Sequence, residues 1–286
     1  MIEGGMRGGV CMISTRYAKA NNKSMGPLYD ATLPSSYIIY LDANNLYGWA
    51  MSQSLPYGHF QWEENPERWV TFDWTSLQDT DGCGNIVECD LEYPLELHDH
   101  HNDYPMAPER VNINVEMLSE TQVEISRHYN QSRAQRNVKL VPNLMKKEKY
   151  TVHYLNLKFY LEHGMKLTKL HRIISFVQKP WMREYIQMNT RMRAAAKNDM
   201  EKDFHKLMNN AVYGKTCENQ RKRTDIQLVN DRNKARKLID KPHCIDVSIF
   251  DENLVGIELR KVKQMITKPS YVGFTVLELS KLHMMR

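Results

Sequence analysis

Residues 149–177 constrain the fold most. Lys149-Tyr-Thr-Val-His-Tyr154 is a β-branched and aromatic run that predicts a strand. Asn156-Leu-Lys-Phe-Tyr-Leu-Glu-His-Gly164 follows with helical character, and Gly164 supplies a C-cap. Met165 to Val177 is a second apolar strand. Strand, short helix, strand is a β-α-β unit. Together with the strand-rich segments after residue 223, it predicts an α+β domain.

The flanks are less regular. The first 35 residues are rich in Gly and Asn and predict a loop. Tyr37 to Leu41 is a short apolar run that predicts a strand, entering Asp42, with a helix from about Asn45. Residues 56–110 carry Pro56, Pro66, Asp81-Gly82, Gly84-Asn85, Pro94, Pro105 and Pro108, and predict irregular structure around short strands. Pro180-Trp181 opens a long helical region reaching about Asn219. Three strands follow: DIQLV, CIDVSIF and LVGIELRKV, with residues 251–253 as a hairpin turn. The terminal YVGFTVLELSKLHMM predicts an amphipathic helix.

Composition narrows the class. Hydrophobic residues make up 42% and charged residues 26%, a globular balance. A net charge of +5 suits a polyanionic partner without specifying one. The five cysteines form no CxxC pair, which argues against a zinc site or disulfide framework and for a reducing compartment. No apolar run reaches the roughly 18 residues of a membrane span. The N-terminus lacks a signal-peptide core, so an intracellular location, nucleus or cytoplasm, is expected.

Two constellations carry chemistry. In Tyr40-Leu-Asp42-Ala43-Asn-Asn-Leu-Tyr47-Gly-Trp49, an apolar run delivers a carboxylate at its end. Two-metal phosphoryl transfer needs carboxylates on a rigid element, and the carbonyl of Ala43 is a further oxygen donor. Taken alone, Asp42 could as well N-cap the next helix. In the second, Lys202, Lys206 and Asn210 are spaced i, i+4, i+8 on one helix face, continued by Tyr213, Gly214 and Lys215. Two ammonium groups there can meet a triphosphate. A solvated lysine face is the plain alternative, but Asn209-Asn210 and Tyr213-Gly214 are poor choices for one.

Taken together, the segments resemble motif A (D-x-N-x-L-Y) and motif B (K-x3-N-x2-Y-G-K) of protein-primed family B DNA polymerases, in the family's order. HNDYPMAPER, NLKFYLEHGMKLTKLHRIISF and EKDFHKLMNNAVYGKTCEN are similar to polymerases of Maverick/Polinton elements. Gly8-Gly9 resembles the Y-x-G-G element, with Met6 in place of its Tyr. KPSYVGFTVLELSK resembles the segment upstream of motif C.

The resemblance implies a DNA-directed DNA polymerase with an α+β palm and fingers helices, working with Mg²⁺ on template-primer DNA and dNTPs. Asp42 would be the catalytic carboxylate binding Mg²⁺ with the Ala43 carbonyl, and Tyr47 would exclude a 2′-OH. Lys206, with Lys202, would hold the triphosphate. Asn210 and Tyr213 would line the nascent pair, and Gly8, Gly9, Gly214 and Lys215 would contact DNA. The primer would be a 3′-OH or a terminal protein. The implied layout is a pre-palm loop (1–35), palm (36–178), fingers (179–222) and palm continuation (223–286).

The chain also departs from the pattern. No D-T-D-S occurs, and Asp79-Thr80-Asp81 precedes motif B and reads as a loop turn. The thumb, the exonuclease domain and the second catalytic carboxylate are therefore expected to be missing. A lone carboxylate would cost several orders of magnitude in rate. The alternative is a nucleic-acid-binding remnant without turnover. His98-Asp-His-His-Asn-Asp103 has no metal-ligand spacing and reads as a turn. Lys139, Lys146, Lys147 and Lys149 read either as a phosphate track or as a solvated loop.

Overall fold

The computed structural model describes residues 1–15, 17–78, 82–129 and 138–286. Asp79-Thr80-Asp81 lies outside them. In chain order the elements are α1 (Ile2–Gly5), α2 (Leu46–Met51), β1 (Leu55–Trp62), β2 (Cys83–Glu92), α3 (His98–His101), β3 (Glu109–Asn112), α4 (Glu120–His128), β4 (Val138–Val141) and β5 (Lys147–His153). They continue with α5 (Tyr154–Glu162), β6 (Lys166–Lys179), α6 (Arg183–Ala195), α7 (Asp199–Thr216), β7 (Thr224–Val229), α8 (Arg232–Ile239), β8 (Cys244–Asp251), β9 (Leu254–Arg260) and α9 (Ser270–Met285).

The main sheet has the order β1-β6-β2-β5. Strands β5 and β6 both run antiparallel to β2 and are therefore parallel to each other, with α5 making the crossover that parallel strands require. Gly164, at φ +91°, lets the chain leave α5 and enter β6. This is the β-α-β unit read from residues 149–177.

Side chains alternate across the sheet. Ile86, Ile174 and Phe176 pack with Phe274 of α9 and with Met1 and Ile2. Val87, Val152 and Ile173 belong to the larger core shared with α5 and α9. Helix α1 docks tightly here: a Cβ on Gly5 would lie 2.7 Å from Thr151 Cβ and 2.9 Å from the Phe274 ring.

Several local expectations fail for identifiable reasons. The first 35 residues are not all loop, since α1 and a 3₁₀ segment at Lys23–Leu28 form there. Residues 56–110 hold β1 and β2, and β2 is an inner strand of the main sheet. Gly84-Asn85 lies inside β2 rather than in a turn. A Cβ on Gly84 would meet Phe176 at 2.6 Å and Gln178 at 2.7 Å, so the glycine marks close packing.

Tyr37–Leu41 forms no strand. It is exposed, with Tyr40 at 93%, and no described strand pairs with it. The long helical region breaks at Ala196 (ψ 137°). Asn198 then caps α7 by accepting from the Glu201 N–H at 2.9 Å. Helix α8 lies between the first two of the three expected strands, where a strand-only reading left it out; it is capped by Asp231 and buries Ala235 and Leu238 under the β7-β9-β8 sheet.

Helix α9 is not amphipathic. Val272 to Ser280 and Leu282 are all buried, because α1, α2, α5, α7, β1 and β5 surround it. Its one buried carboxylate, Glu278, pairs with Lys281 and accepts from the His153 N–H at 3.2 Å.

His153 is wholly buried and both its ring nitrogens lack a partner. Burial pulls its pKa from 6.5 down to about 4, with Glu278 opposing. The folded state therefore holds His153 neutral, whereas the unfolded chain protonates it below its ordinary value. Its contribution is intact above pH 6.5 and is lost as pH falls from 6.5 toward 4, at up to about 3 kcal/mol. Urea titrations between pH 7 and pH 4.5 should show this loss in the native chain. The part due to this group should be absent from His153→Leu, and an unchanged slope in that variant would refute the assignment.

Candidate nucleotide and DNA site

Helix α2 is the hinge of the site. Asn45 precedes it in the left-handed region (φ 55°, ψ 41°), a conformation asparagine tolerates. That turn swings the chain from Asp42-Ala43 into the helix. Gly48 is buried against it, and a Cβ there would lie 2.2 Å from Asn45 Nδ2. The helix packs on α7, α9 and α6. Its successive side chains therefore face different neighbours.

Tyr47 stacks on Tyr213 of α7 with ring centroids 4.2 Å apart and planes 17° apart. Residues 166 positions apart in sequence, one from each motif, are thus in contact. Burial, with Cys217 and Tyr47 alongside, holds the Tyr213 phenol above the ordinary tyrosine range. Tyr47 also lines a mostly apolar cavity of about 150 Å³ with Gly9, Tyr104, Tyr160 and Lys281. Gly9 and Tyr47 therefore share one pocket. Tyr104, Tyr160 and Lys281 carried no sequence signal for it. Tyr104 donates to the Val10 carbonyl at 3.2 Å and so ties down the segment after Gly8-Gly9.

Lys202, Lys206 and Asn210 are exposed along α7. Lys202 is paired with Asp199 at 3.2 Å and Lys215 with Glu218 at 3.5 Å. Lys206 has no carboxylate partner among the described residues. Asn209, not Asn210, is the buried member of the pair. Gly8, Gly9 and Gly214 are exposed, with open space where a Cβ would stand.

Asp42 and Ala43 are exposed at the end of Tyr37–Leu41, and Asp42 has no ion-pair partner among the described residues. A carboxylate and a carbonyl are the oxygen donors Mg²⁺ takes. Two-ion chemistry needs more carboxylates, and among the described residues no three His, Cys, Asp or Glu converge to hold a metal. The described residues thus supply only part of that donor set.

Two further sequence features take structural roles away from these residues. His101 of the HDHHND run hydrogen-bonds with the Tyr93 hydroxyl at 2.7 Å. Lys147 of the basic run is buried and ion-paired with Glu109 at 2.8 Å, so it serves neither as a phosphate contact nor as a solvated loop lysine. Among the described residues, no helix is long and apolar enough to cross a membrane.

Comparison with known proteins places the chain. A search of curated proteins finds no match. Among solved structures, Phi29 DNA polymerase in an orthorhombic crystal form aligns over 84% of this chain and 33% of its own, at 13% identity and a TM-score of 0.46. Phi29 DNA polymerase complexed with primer-template DNA and incoming nucleotide substrates aligns over 82% and 32%, at 16% identity and a TM-score of 0.44. The chain spans about a third of the length of these polymerases. The family model described as DNA polymerase type B, organellar and viral, matches residues 26–271. Most of the sequence, including both motifs, lies within that match, and the chain belongs to the organellar and viral family of type B DNA polymerases.

Proposed function

We propose that this chain supplies the nucleotide-binding surface and the first catalytic carboxylate of a DNA-directed DNA polymerase. The reaction is template-directed addition of deoxynucleotides to a primer 3′-OH or a terminal-protein hydroxyl. The motif resemblance points to a protein-primed enzyme of a virus-like mobile element.

The observation that carries this reading is the Tyr47–Tyr213 stack. It puts the residue proposed to check the sugar against the residue proposed to line the base pair. Lys206, with Lys202, would hold the triphosphate. Asn210 and Gly214 would flank the templating base, with Lys215, Gly8 and Gly9 on DNA phosphates. Asp42 and the Ala43 carbonyl would contribute to a Mg²⁺ site. Bound Mg²⁺ would supply positive charge at the transferring phosphate. The chain's own share is positioning.

The test is Tyr47→Ala in a polymerase carrying this chain. A phenol ring under the deoxyribose leaves no room for a 2′-OH, so its loss should raise ribonucleotide incorporation by one to two orders of magnitude. That corresponds to about 1.4–2.8 kcal/mol of discrimination. Tyr47→Phe should stay close to the native chain, because the ring does the excluding. Unchanged sugar selectivity in Tyr47→Ala would remove the gate assignment.

A further inference from the structure

Residues 101–110, HNDYPMAPER, belong to neither motif, yet they form an arm that holds the Gly8-Gly9 segment. The Tyr104 hydroxyl donates to the Val10 carbonyl at 3.2 Å, and the Arg110 guanidinium donates to the Met6 carbonyl at 3.0 Å. Between those two points Arg7 is buried, with its guanidinium on the Thr151 carbonyl and over the Tyr150 ring. The stretch from Met6 to Val10 is thus fastened at both ends to the arm and, inside it, to β5.

Gly8 and Gly9 lie between the fastenings. Neither makes a hydrogen bond among the described residues. Neither has a positive φ, and neither has an atom within 4 Å of where a Cβ would stand. The two internal reasons for a glycine, backbone conformation and close packing, are therefore both absent. What the missing side chains make room for lies outside the chain, and two unpaired backbone N–H groups are there to meet it.

The arm is stiff. Pro105 and Pro108 fix their own φ and are buried, as are Met106 and Ala107 between them. The Met106 N–H donates to the Tyr93 hydroxyl at 3.3 Å, and that hydroxyl is also bonded to His101. Ala107 has φ +54°, a conformation that a residue with a Cβ keeps only when its surroundings impose it. The bend brings Tyr104 and Arg110 onto one short segment. A stiff support under an exposed glycine pair meets the cost of ordering on folding rather than on binding.

We infer that Tyr104 and Arg110 are positioning residues that hold the Gly8-Gly9 backbone ready for a DNA phosphate. That purpose rests on the polymerase reading, in which Gly8 and Gly9 meet DNA. The holding itself rests on the contacts.

The test applies two readouts to the full chain. Trypsin cleavage after Arg7 releases the peptide MIEGGMR, which mass spectrometry follows. Anisotropy of a fluorescein-labelled primer-template gives DNA affinity. Tyr104→Phe and Arg110→Met each remove one hydrogen bond made by an exposed side chain, so the urea midpoint should hold. Each should weaken primer-template binding about threefold, and the two together about tenfold. Together they should also speed release of MIEGGMR about fivefold or more, with cleavage at other sites unchanged. Gly8→Ala with Gly9→Ala should weaken binding about tenfold. In that background the arm variants should add less than about twofold, because they act through the loop.

The inference is overturned if the paired arm variants release MIEGGMR at the native rate. It is also overturned if their loss of DNA affinity is undiminished in the glycine-substituted background, as it would be if Arg110 met a phosphate directly. In both cases a loss from the glycine substitutions alone leaves the polymerase reading of Gly8 and Gly9 standing. If the glycine substitutions leave primer-template binding within twofold of the native chain, that reading of the loop fails, and the purpose of the arm fails with it.

Discussion

Glu278→Ala should cost about 3–5 kcal/mol of folding stability, a larger loss than any other substitution proposed for this chain. Glu278 is 1% exposed and sits in the middle of α9, the helix that α1, α2, α5, α7, β1 and β5 surround. Its carboxylate is ion-paired with Lys281 and accepts from the His153 N–H at 3.2 Å. Arg7, itself buried, bonds through its guanidinium to the Thr151 carbonyl, lies 3.7 Å over the Tyr150 ring and acts on the same carboxylate through space. Burial by itself would raise the carboxyl's pKa. Lys281 and Arg7 outweigh that and hold it below the ordinary glutamate range, so Glu278 is ionised in the fold.

Removing that one negative charge takes the counter-charge from the buried Arg7 and the partly buried Lys281 and leaves the His153 amide without its acceptor. The cost is therefore mainly that of the groups left behind. Against a typical domain stability of about 5–15 kcal/mol this is a substantial fraction. Urea unfolding of the native chain and Glu278→Ala measures it directly. Glu278→Gln keeps an acceptor for the His153 N–H and should fall between the two. A loss under about 1 kcal/mol in Glu278→Ala would mean that water or Lys281 motion relieves the charge, and that the cluster is not a fixed part of the core.

The contrast between what the sequence showed and what it hid follows from where each element's determinants lie. The strand-helix-strand over residues 149–177 was legible because its periodicity changes are local and Gly164 sits where a positive φ is needed. Strand β2 was hidden because Gly84-Asn85 is ordinary turn chemistry. Only the facing Phe176 and Gln178 show that the missing side chain is a packing requirement. Tyr37–Leu41 misled in the other direction. Its composition is that of a strand, but a strand is a property of a pair, and no described strand lies beside it.

The break between α6 and α7 was written in Asn198 and Glu201, a capping pair inside a run of good helix formers. Counting formers overlooked it. Helix α9 could not be told from a half-exposed helix without knowing that its neighbours enclose it. The same limit governs the site. Motif spacing named Tyr47 and Tyr213, but their contact depends on α2 packing against α7, which no local pattern encodes.

Among the α7 cations, Lys206→Ala should have the largest effect on nucleotide use. Lys202 and Lys215 already share their charge with Asp199 and Glu218, whereas Lys206 stands exposed with no carboxylate partner among the described residues. An ammonium in that position has its full charge available to an incoming triphosphate. A charge-assisted hydrogen bond contributes about 1.5–3 kcal/mol, so its loss should raise the dNTP KM of a polymerase carrying this chain by about 10- to 150-fold.

DNA affinity should change less than about twofold, because one exposed lysine among many supplies little of a polyanion contact. Lys206→Arg should recover part of the loss, since it restores the charge in a different geometry. Lys202→Ala should cost less than Lys206→Ala, because its partner Asp199 is freed at the same time and adds repulsion only at a distance on an exposed surface. Steady-state incorporation against dNTP concentration, with DNA binding measured in parallel, separates these outcomes. Equal losses in KM and in DNA affinity would move Lys206 from the triphosphate to the template. A larger effect from Lys202 would mean that the triphosphate enters nearer the start of α7, with the Lys202–Asp199 pair opening to receive it.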